Sequence, residues 1–491
     1  MSAIAEGERS AAPPAPHVNE DWLSLAIGLA IFGLALAGLG GHDLAGWVVN
    51  TSVWVDPHLA LGTFSKAWAG LGGAGALVAT WAALLLVLSA GAALLGLSVA
   101  RFAAAFTVVF ALAYGSWIAG SWAHFAAVTP ADQQKFGIDW SLRLTNEGGY
   151  VVALIVGLVI ANFFPRFADW LKEAIRPELY IKIAIVILGA FVAVTAAGRL
   201  SLATGILWRG VAAIVEAYLI YWAVVYYVAR RWFGFNREWA VPLASGISVC
   251  GVSAAIATGG AIRARPLVPV MVSSLVVVFA VVEVLVLPFV AQTFLWQEPM
   301  VAGAWMGLAI KTDGAAVAGG GITEALILAK SAQEGVHYQP GWILTVTATI
   351  KVFIDIFIGV WAFILGYIWT NHINKTSTDK ARLSEIWQRF PKFILGFVAT
   401  FAIGLWLAVG TPPEIAKAVP AQISEANTFR VIFFVLTFFS IGVLSNFRRL
   451  WQEGIGKLAA VYLVSLFGFV VWVGLAISWL FFAGVKPPLA G

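Results

Sequence analysis

The 491-residue chain has one cysteine, Cys250. A single thiol excludes an intramolecular disulfide and a cysteine-based metal site. Charge is scarce too: 11% of residues are Asp, Glu, Lys or Arg, against roughly 25% in soluble globular domains. There is no GxxxxGK[ST] phosphate loop, which excludes an ATP-driven module of that kind, and there is no HExxH. The six histidines (His17, His42, His58, His124, His337 and His372) are scattered without metal-ligand spacing. Gly70–Gly75 fits GxGxxG, but no strand precedes it and it opens an apolar run, so the match is accidental. No polar stretch is long enough for a soluble catalytic core, and no nucleophile–base pairing stands out. These absences point away from an enzyme, a resident cofactor and a bound structural metal.

What remains is oil. Hydrophobic residues make up 61% of the chain and mean hydropathy is +0.89, which describes an all-α polytopic membrane protein. The formal charge of +5 needs no nucleic-acid partner, because the cations gather in short loops, as they do on the cytoplasmic side of membrane proteins. Residues 1–21 read as a disordered cytoplasmic tail. The run 22–40 is too long and too weakly basic in its lead-in for a cleaved signal peptide. Apolar runs of about 20 residues, the length that spans a bilayer, predict thirteen crossings: 22–40, 75–97, 102–127, 148–165, 180–197, 204–228, 241–262, 267–292, 301–329, 342–369, 391–410, 429–447 and 458–484. The stretch 41–74 reads as an interfacial loop or a re-entrant piece.

Lys375, Lys380, Arg382 and Arg389 put the loop 371–390 in the cytoplasm, and Arg448, Arg449 and Lys457 do the same for 448–457. Counting back, 166–179, 229–240 and the N-terminus also fall inside, in a bacterial inner membrane. Arg199, Arg209, Arg263 and Arg265 then land outside, against the rule. For the last pair, either they line an anion path or the segment before them does not fully cross.

That segment, 246–265, is rich in small and polar residues: Gly246, Ser248, Cys250, Gly251, Ser253, Thr258, Gly259 and Gly260. It reads either as a broken helix lining a solute site or as a tightly packed small-xxx-small helix. The last ten spans divide into two five-helix repeats, 148–292 and 301–484, inverted because five is odd; 22–147 is then an added N-terminal module. The fourth span of each repeat carries an interruption, at Cys250–Gly251 and at Ser440, Gly442 and Asn446. Paired breaks in inverted halves mark transporter sites.

Charges inside spans are costly and so are functional candidates. Lys311, Thr312 and Asp313 stand before Gly314 and Gly319–Gly321, which suggests a further break. Lys311 and Asp313, two apart, do not share a helical face. Lys351 and Asp355, four apart, do; they read either as an internal ion pair or as a coupling site. Glu216 and Glu283 read as structural partners or interfacial residues rather than ligands, with Glu216 deep enough to titrate.

The Ser248–Gly251 core (Ser-Val-Cys-Gly) with its Ala-rich run to Thr258, together with 154–162 and 307–321, resembles the YeiH-like family of bacterial membrane proteins described as sulfate exporters. The resemblance covers roughly 150–480. It implies kinship with the sodium/proton antiporter and bile-acid symporter group: two inverted five-helix repeats, crossing broken helices and dimers. Where shorter members carry His-Glu, this chain has Lys311-Thr312 or Thr312-Asp313; where they carry Arg in the next span, Lys351 stands.

The expected function is secondary transport of a small anion, sulfate or an organic sulfonate. Ser248, Cys250, Gly251, Ser253, Thr258, Lys311, Thr312, Lys351, Ser440, Gly442 and Asn446 form the binding set, and Asp313 and Asp355 couple transport to H⁺ or Na⁺. A cation/proton exchanger using the two aspartates is the alternative carrier. A non-transporting receptor or assembly protein is the alternative from another class.

Overall fold

Apolar runs in lipid must bond their own backbone, so they fold as helices. A computed structural model describes residues 19–490 except 128–129, 142–147, 199, 266, 374–382, 384–386, 388–389 and 447–455. The tail expected at 1–21 therefore lies almost wholly outside the described residues. So do Arg199, Lys375, Lys380, Arg382, Arg389, Arg448 and Arg449.

The long helices are α1 (Glu20–Leu36), α2 (Gly72–Leu94), α3 (Val99–Gly120), α4 (Gly148–Phe163), α5 (Pro177–Gly198) and α6 (Leu200–Trp232). They continue with α7 (Arg237–Ser248), α8 (Val252–Ala261), α9 (Leu267–Leu295), α10 (Pro299–Ala309) and α11 (Asp313–Gln333). The last are α12 (Trp342–Ile373), α13 (Phe393–Val409), α14 (Pro413–Leu444) and α15 (Gly456–Phe482). Among the described residues nine of these are long and apolar enough to cross a membrane, and α4 with the bent segment Pro165–Ala174 is a tenth candidate. Of the stretch 41–74, residues 41–71 hold short turns and a small antiparallel β-hairpin, Val49–Thr51 paired to Leu61–Thr63, and the rest opens α2.

The helices form two bundles. In the first, α1 to α5 pack with α13 and α14. Gly28 lets α1 sit directly on Val186 of α5, and Thr400 of α13 donates to Val186 O at 2.6 Å. The N-terminal helices are thus built into this bundle. In the second, α6 to α12 pack with α15. There Thr347 Oγ1 donates to Gly303 O at 2.7 Å and Trp305 Nε1 to Val471 O at 2.8 Å.

Two of the expected crossings do not cross. Arg265 pairs with Glu238 at 3.0 Å, whereas a straight helix would hold those residues about 40 Å apart. The pair α7–α8 is therefore a re-entrant hairpin whose two ends meet at one face. The pair α10–α11 is a second one: Lys330 stands over the Trp296 ring at 5.9 Å, where a straight helix would separate them by about 50 Å. Ile343 of α12 packs on Gly303 while its amide bonds Glu324, which sets 303 and 324 at one depth. Helix α9 runs from the base of the first hairpin (Gly259 against Pro269) to the base of the second (Gln292 to Leu326 O, 3.3 Å). The hairpins thus enter from opposite faces.

This corrects the expectation of crossing broken helices. It also removes an anomaly: the first hairpin returns Arg263 and Arg265 to the face that holds Arg230, Arg231 and Arg237. The inverted relation visible here is a hairpin followed by a crossing helix, α7–α8–α9 and then α10–α11–α12.

The expected break at Gly442 is also corrected. Helix α14 runs unbroken through Ser440 and Gly442 to Leu444. Gly442 faces Gly157, and a Cβ there would lie 2.4 Å from Leu154 O. The small residue serves close helix packing, and the second interruption lies at 310–312 instead.

Candidate functional site

The tips of the hairpins are Val249–Gly251 and Ile310–Thr312. Gly251 takes φ 71°, ψ −111°, a conformation open to glycine and strained for other residues. It turns the chain back within two residues at a place where an added Cβ would lie 2.6 Å from Val276 Cγ1 and 3.1 Å from Thr312 Cγ2. At the other tip Ile310 and Thr312 are extended, and the Thr312 hydroxyl caps α11 by accepting from Ala315 N at 3.3 Å.

Helix α12 passes between the tips. Lys351 Nζ donates to Val249 O at 3.3 Å and to Lys311 O at 3.2 Å, one carbonyl from each tip, and lies 3.3 Å from Asp313 Oδ1. Its ion-pair partner is therefore Asp313, across the hairpin junction; the expected in-helix pair with Asp355 is not the one that forms. Asp355 Oδ1 accepts no hydrogen bond. Ligand atoms of Cys250, Asp313 and Asp355 all lie within 4.8 Å of one another, so the lone thiol belongs to a polar cluster that could hold a cation.

Lys311 turns away. Its Nζ donates to Leu308 O and stands 4.3 Å over the Tyr221 ring, while its backbone N–H reaches Glu283 Oε2 at 3.1 Å. Lys311 and Asp313 thus have different partners, and the chain is unwound between the helices that flank them. Glu283 anchors the second tip, and Tyr462 of α15 donates to its other oxygen at 3.4 Å. Glu216 is fully buried without a hydrogen-bond partner, because the neighbouring Tyr221 hydroxyl donates to Val470 O at 3.0 Å. A π-helical turn, Glu216–Tyr221, aims these side chains inward. The tyrosines were not singled out from the sequence, although a Tyr deep in an apolar span requires a partner for its hydroxyl. Tyr218, which donates to Ile354 O at 2.6 Å, is another such case.

Four helix ends converge here, two carboxyl and two amino. Lys311 and Lys351 serve exposed carbonyls of the carboxyl ends, and Asp313 with Thr312 serves the amino end of α11. The amino end of α8, at Gly251, has no side-chain cap. Beside it the Ser248 hydroxyl, fully buried, has no partner.

The sequence-derived set divides accordingly. Ser248, Cys250, Gly251, Lys311, Thr312, Asp313, Lys351 and Asp355 lie at the tips or on the α12 turn between them. Ser253 follows in the first turn of α8, half-buried. Thr258 is two turns removed and donates to Ala254 O in its own helix. Ser440 is buried on α14 with an unpartnered hydroxyl. Asn446 bonds Ala161 O at 2.7 Å and ties α14 to α4; with Gly442 it is a packing residue, outside the junction.

Comparison with known proteins follows this core. The family model described as conserved hypothetical protein 698 matches residues 140–461. A UPF0324 membrane protein of Nitrosomonas europaea is 37% identical over 478 residues, 96% of this chain and 97% of that one. An uncharacterised Archaeoglobus fulgidus protein is 45% identical over 185 residues, 33% of this chain and 97% of its own length. A UPF0324 membrane protein of Rhodopirellula baltica is 32% identical over 369 residues, 73% of this chain and 59% of that one. The chain belongs to the UPF0324 membrane protein family, the family described as conserved hypothetical protein 698.

Proposed function

We propose that the protein is a secondary transporter, not an enzyme, and that it moves a small anion such as sulfate or an organic sulfonate by alternating access. One observation carries this reading: two oppositely directed hairpins end inside the protein against one buried lysine, Lys351, which bonds a carbonyl of each tip. Unwound backbone at membrane depth is tolerated where it lines a solute site. The uncapped amino end of α8 and the Ser248 hydroxyl suit an anion. Asp313 and Asp355 couple transport by binding H⁺ or Na⁺ as Lys351 shifts between them and the tip carbonyls. The basic face is cytoplasmic on this reading, the bilayer is the bacterial inner membrane, and the working unit is a homodimer.

A second reading has its own observation. The Cys250–Asp313–Asp355 cluster favours a cation/proton exchanger, with Lys351 competing for the aspartates. Reconstituted vesicles separate the two. Labelled sulfate uptake driven by a pH or Na⁺ gradient supports the anion carrier. Cation-dependent proton movement without anion flux supports the exchanger. Folded protein with no flux of either kind favours a receptor or assembly role. Asp355→Asn tests coupling: unchanged gradient dependence removes Asp355 from that role.

A further inference from the structure

Helix α11 carries the second tip far from its own base: between Gly314 and Lys330 it runs about 24 Å. Helix α5 crosses the same depth. Near its end, Thr195 lies against Gly341 at the start of α12, on the face from which the second hairpin enters. Near its start, Ile181 lies against the second tip, and a Cβ on Gly314 would be 3.0 Å from Ile181 Cγ1. Pro177–Gly198 is 22 residues, about 33 Å, so α5 begins on the face of the first hairpin. The second tip thus lies about one helical turn from that face and about four from its own. The seam between the two bundles narrows here to a cavity of about 20 Å³, where Glu178 and Ile181 of α5 and Thr437 of α14 meet Thr312 and Gly314. That is the size of one water molecule.

Glu178 reaches both sides of this thin cover. Its side chain lines the cavity and is still 31% exposed. Its Oε2 lies 3.4 Å from Lys182 Nζ, which Asp21 Oδ1 holds at 2.8 Å. One lysine thus answers two carboxylates, and the group keeps a net negative charge. Glu20, the other acid at the start of α1, is paired with Arg176 at 3.2 Å. Asp313 is within electrostatic reach of both Glu178 and Lys182. Asp21, Glu178, Asp313 and Asp355 therefore form a line of carboxylates from the start of α1 to the junction. The line ends on Asp355 Oδ1, which is buried and has no hydrogen-bond partner.

We propose that this seam is the route by which the coupling cation reaches Asp313, that it opens on the face of the first hairpin, and that Glu178 is the residue that selects positive charge there. Carboxylates inside a membrane protein mark ion pathways and proton relays, and one turn of helix is all that must part. Lys182, held by Asp21, tethers Glu178 at the closed seam. The inference rests on the reading of Asp313 as a cation-binding residue, which both carrier mechanisms share, and adds the side of entry and the entry residue.

The test does not need transport. Thr437→Cys places a thiol in the seam; Cys250 is buried at the junction, and the unsubstituted protein supplies its background. In sealed vesicles of one orientation, labelling by cationic trimethylammonium-ethyl methanethiosulfonate and by its anionic sulfonatoethyl counterpart is followed by mass, each rate normalised to that of a free thiol. Labelling is expected from the side that reaches Asn236→Cys, at the base of the first hairpin. The cationic reagent is expected to react at least several-fold faster, Ile181→Ala to speed both reagents, and Glu178→Gln to abolish the preference. If Glu178→Gln does not fold, adding Lys182→Met, which removes the lysine left without its partner, is expected to give the same loss. Labelling from the opposite side only, no labelling of folded protein even with Ile181→Ala, the lack of a cationic preference, or one that survives the Glu178 substitutions overturns the proposal. The expected pattern in a protein with no gradient-driven flux supports the seam and counts against the transport reading alone.

Discussion

Lys351 and Asp313 form an ion pair at 3.3 Å with side chains only 2% and 6% exposed, and they belong to different elements. The pair, with the two tip carbonyls, joins both hairpins to α12. Removing one partner of a buried pair strands the other charge and typically costs about 3–5 kcal/mol, whereas replacing both by apolar or neutral groups costs far less. Lys351→Met is therefore expected to lower the thermal midpoint in detergent sharply. Lys351→Met with Asp313→Asn is expected to recover much of the loss. A double variant no more stable than Lys351→Met would show that the pair is not what holds the tips.

The hairpin assignment makes a prediction about sidedness. Asn236→Cys and Ala264→Cys flank the first hairpin, at its Glu238–Arg265 base. In sealed vesicles of one orientation, a membrane-impermeant maleimide should label both from the same side. Labelling from opposite sides would sink the re-entrant assignment and restore a crossing helix.

That assignment also shows what a sequence can reveal here. The break at Cys250–Gly251 was legible because no other segment concentrates glycine and hydroxyl residues in that way, and the Lys311–Asp313 break because charge and glycine adjoin. The misplaced Arg263 and Arg265 already held the clue that their segment does not cross. Whether an interrupted helix passes through or turns back depends on what its two ends touch, and Glu238 and Arg265 are 27 positions apart. Gly442 misled because a glycine that unwinds a helix and one that lets two helices touch look alike until Gly157 is seen opposite.

The two glycines should therefore differ in what they disturb. Gly442→Ala sets a Cβ 2.4 Å from Leu154 O, and overpacking of this kind costs about 1–3 kcal/mol. It is expected to lower the thermal midpoint while leaving intact, in the folded fraction, the sulfate-induced stabilisation that the proposed anion-carrier function predicts. Gly251→Ala combines positive φ with a contact 2.6 Å from Val276 Cγ1. It is expected to lose the sulfate response, and Val276→Ala, which removes the contact but not the strain, to restore only part of it. Equal sulfate responses in the Gly251 and Gly442 variants would separate ligand binding from the hairpin tip.

The base of the first hairpin predicts a dependence on pH. The Arg265 guanidinium and backbone N–H hold the Glu238 carboxyl below its usual range of about 4.5. A carboxyl whose folded-state pKa is depressed stabilises the fold fully above its unfolded value and loses that contribution as pH falls through the folded value. Glu238→Gln should thus lower the thermal midpoint by a constant amount from neutral pH down to about 5, and the difference from the parent should shrink towards zero below about 4. The Arg265 side chain is 66% exposed, so the difference should be small and should diminish at high salt, where exposed pairs are screened. A gap that persists undiminished at pH 3 would mean that Glu238 acts through packing or its neutral hydrogen bonds, and that charge does not close the hairpin.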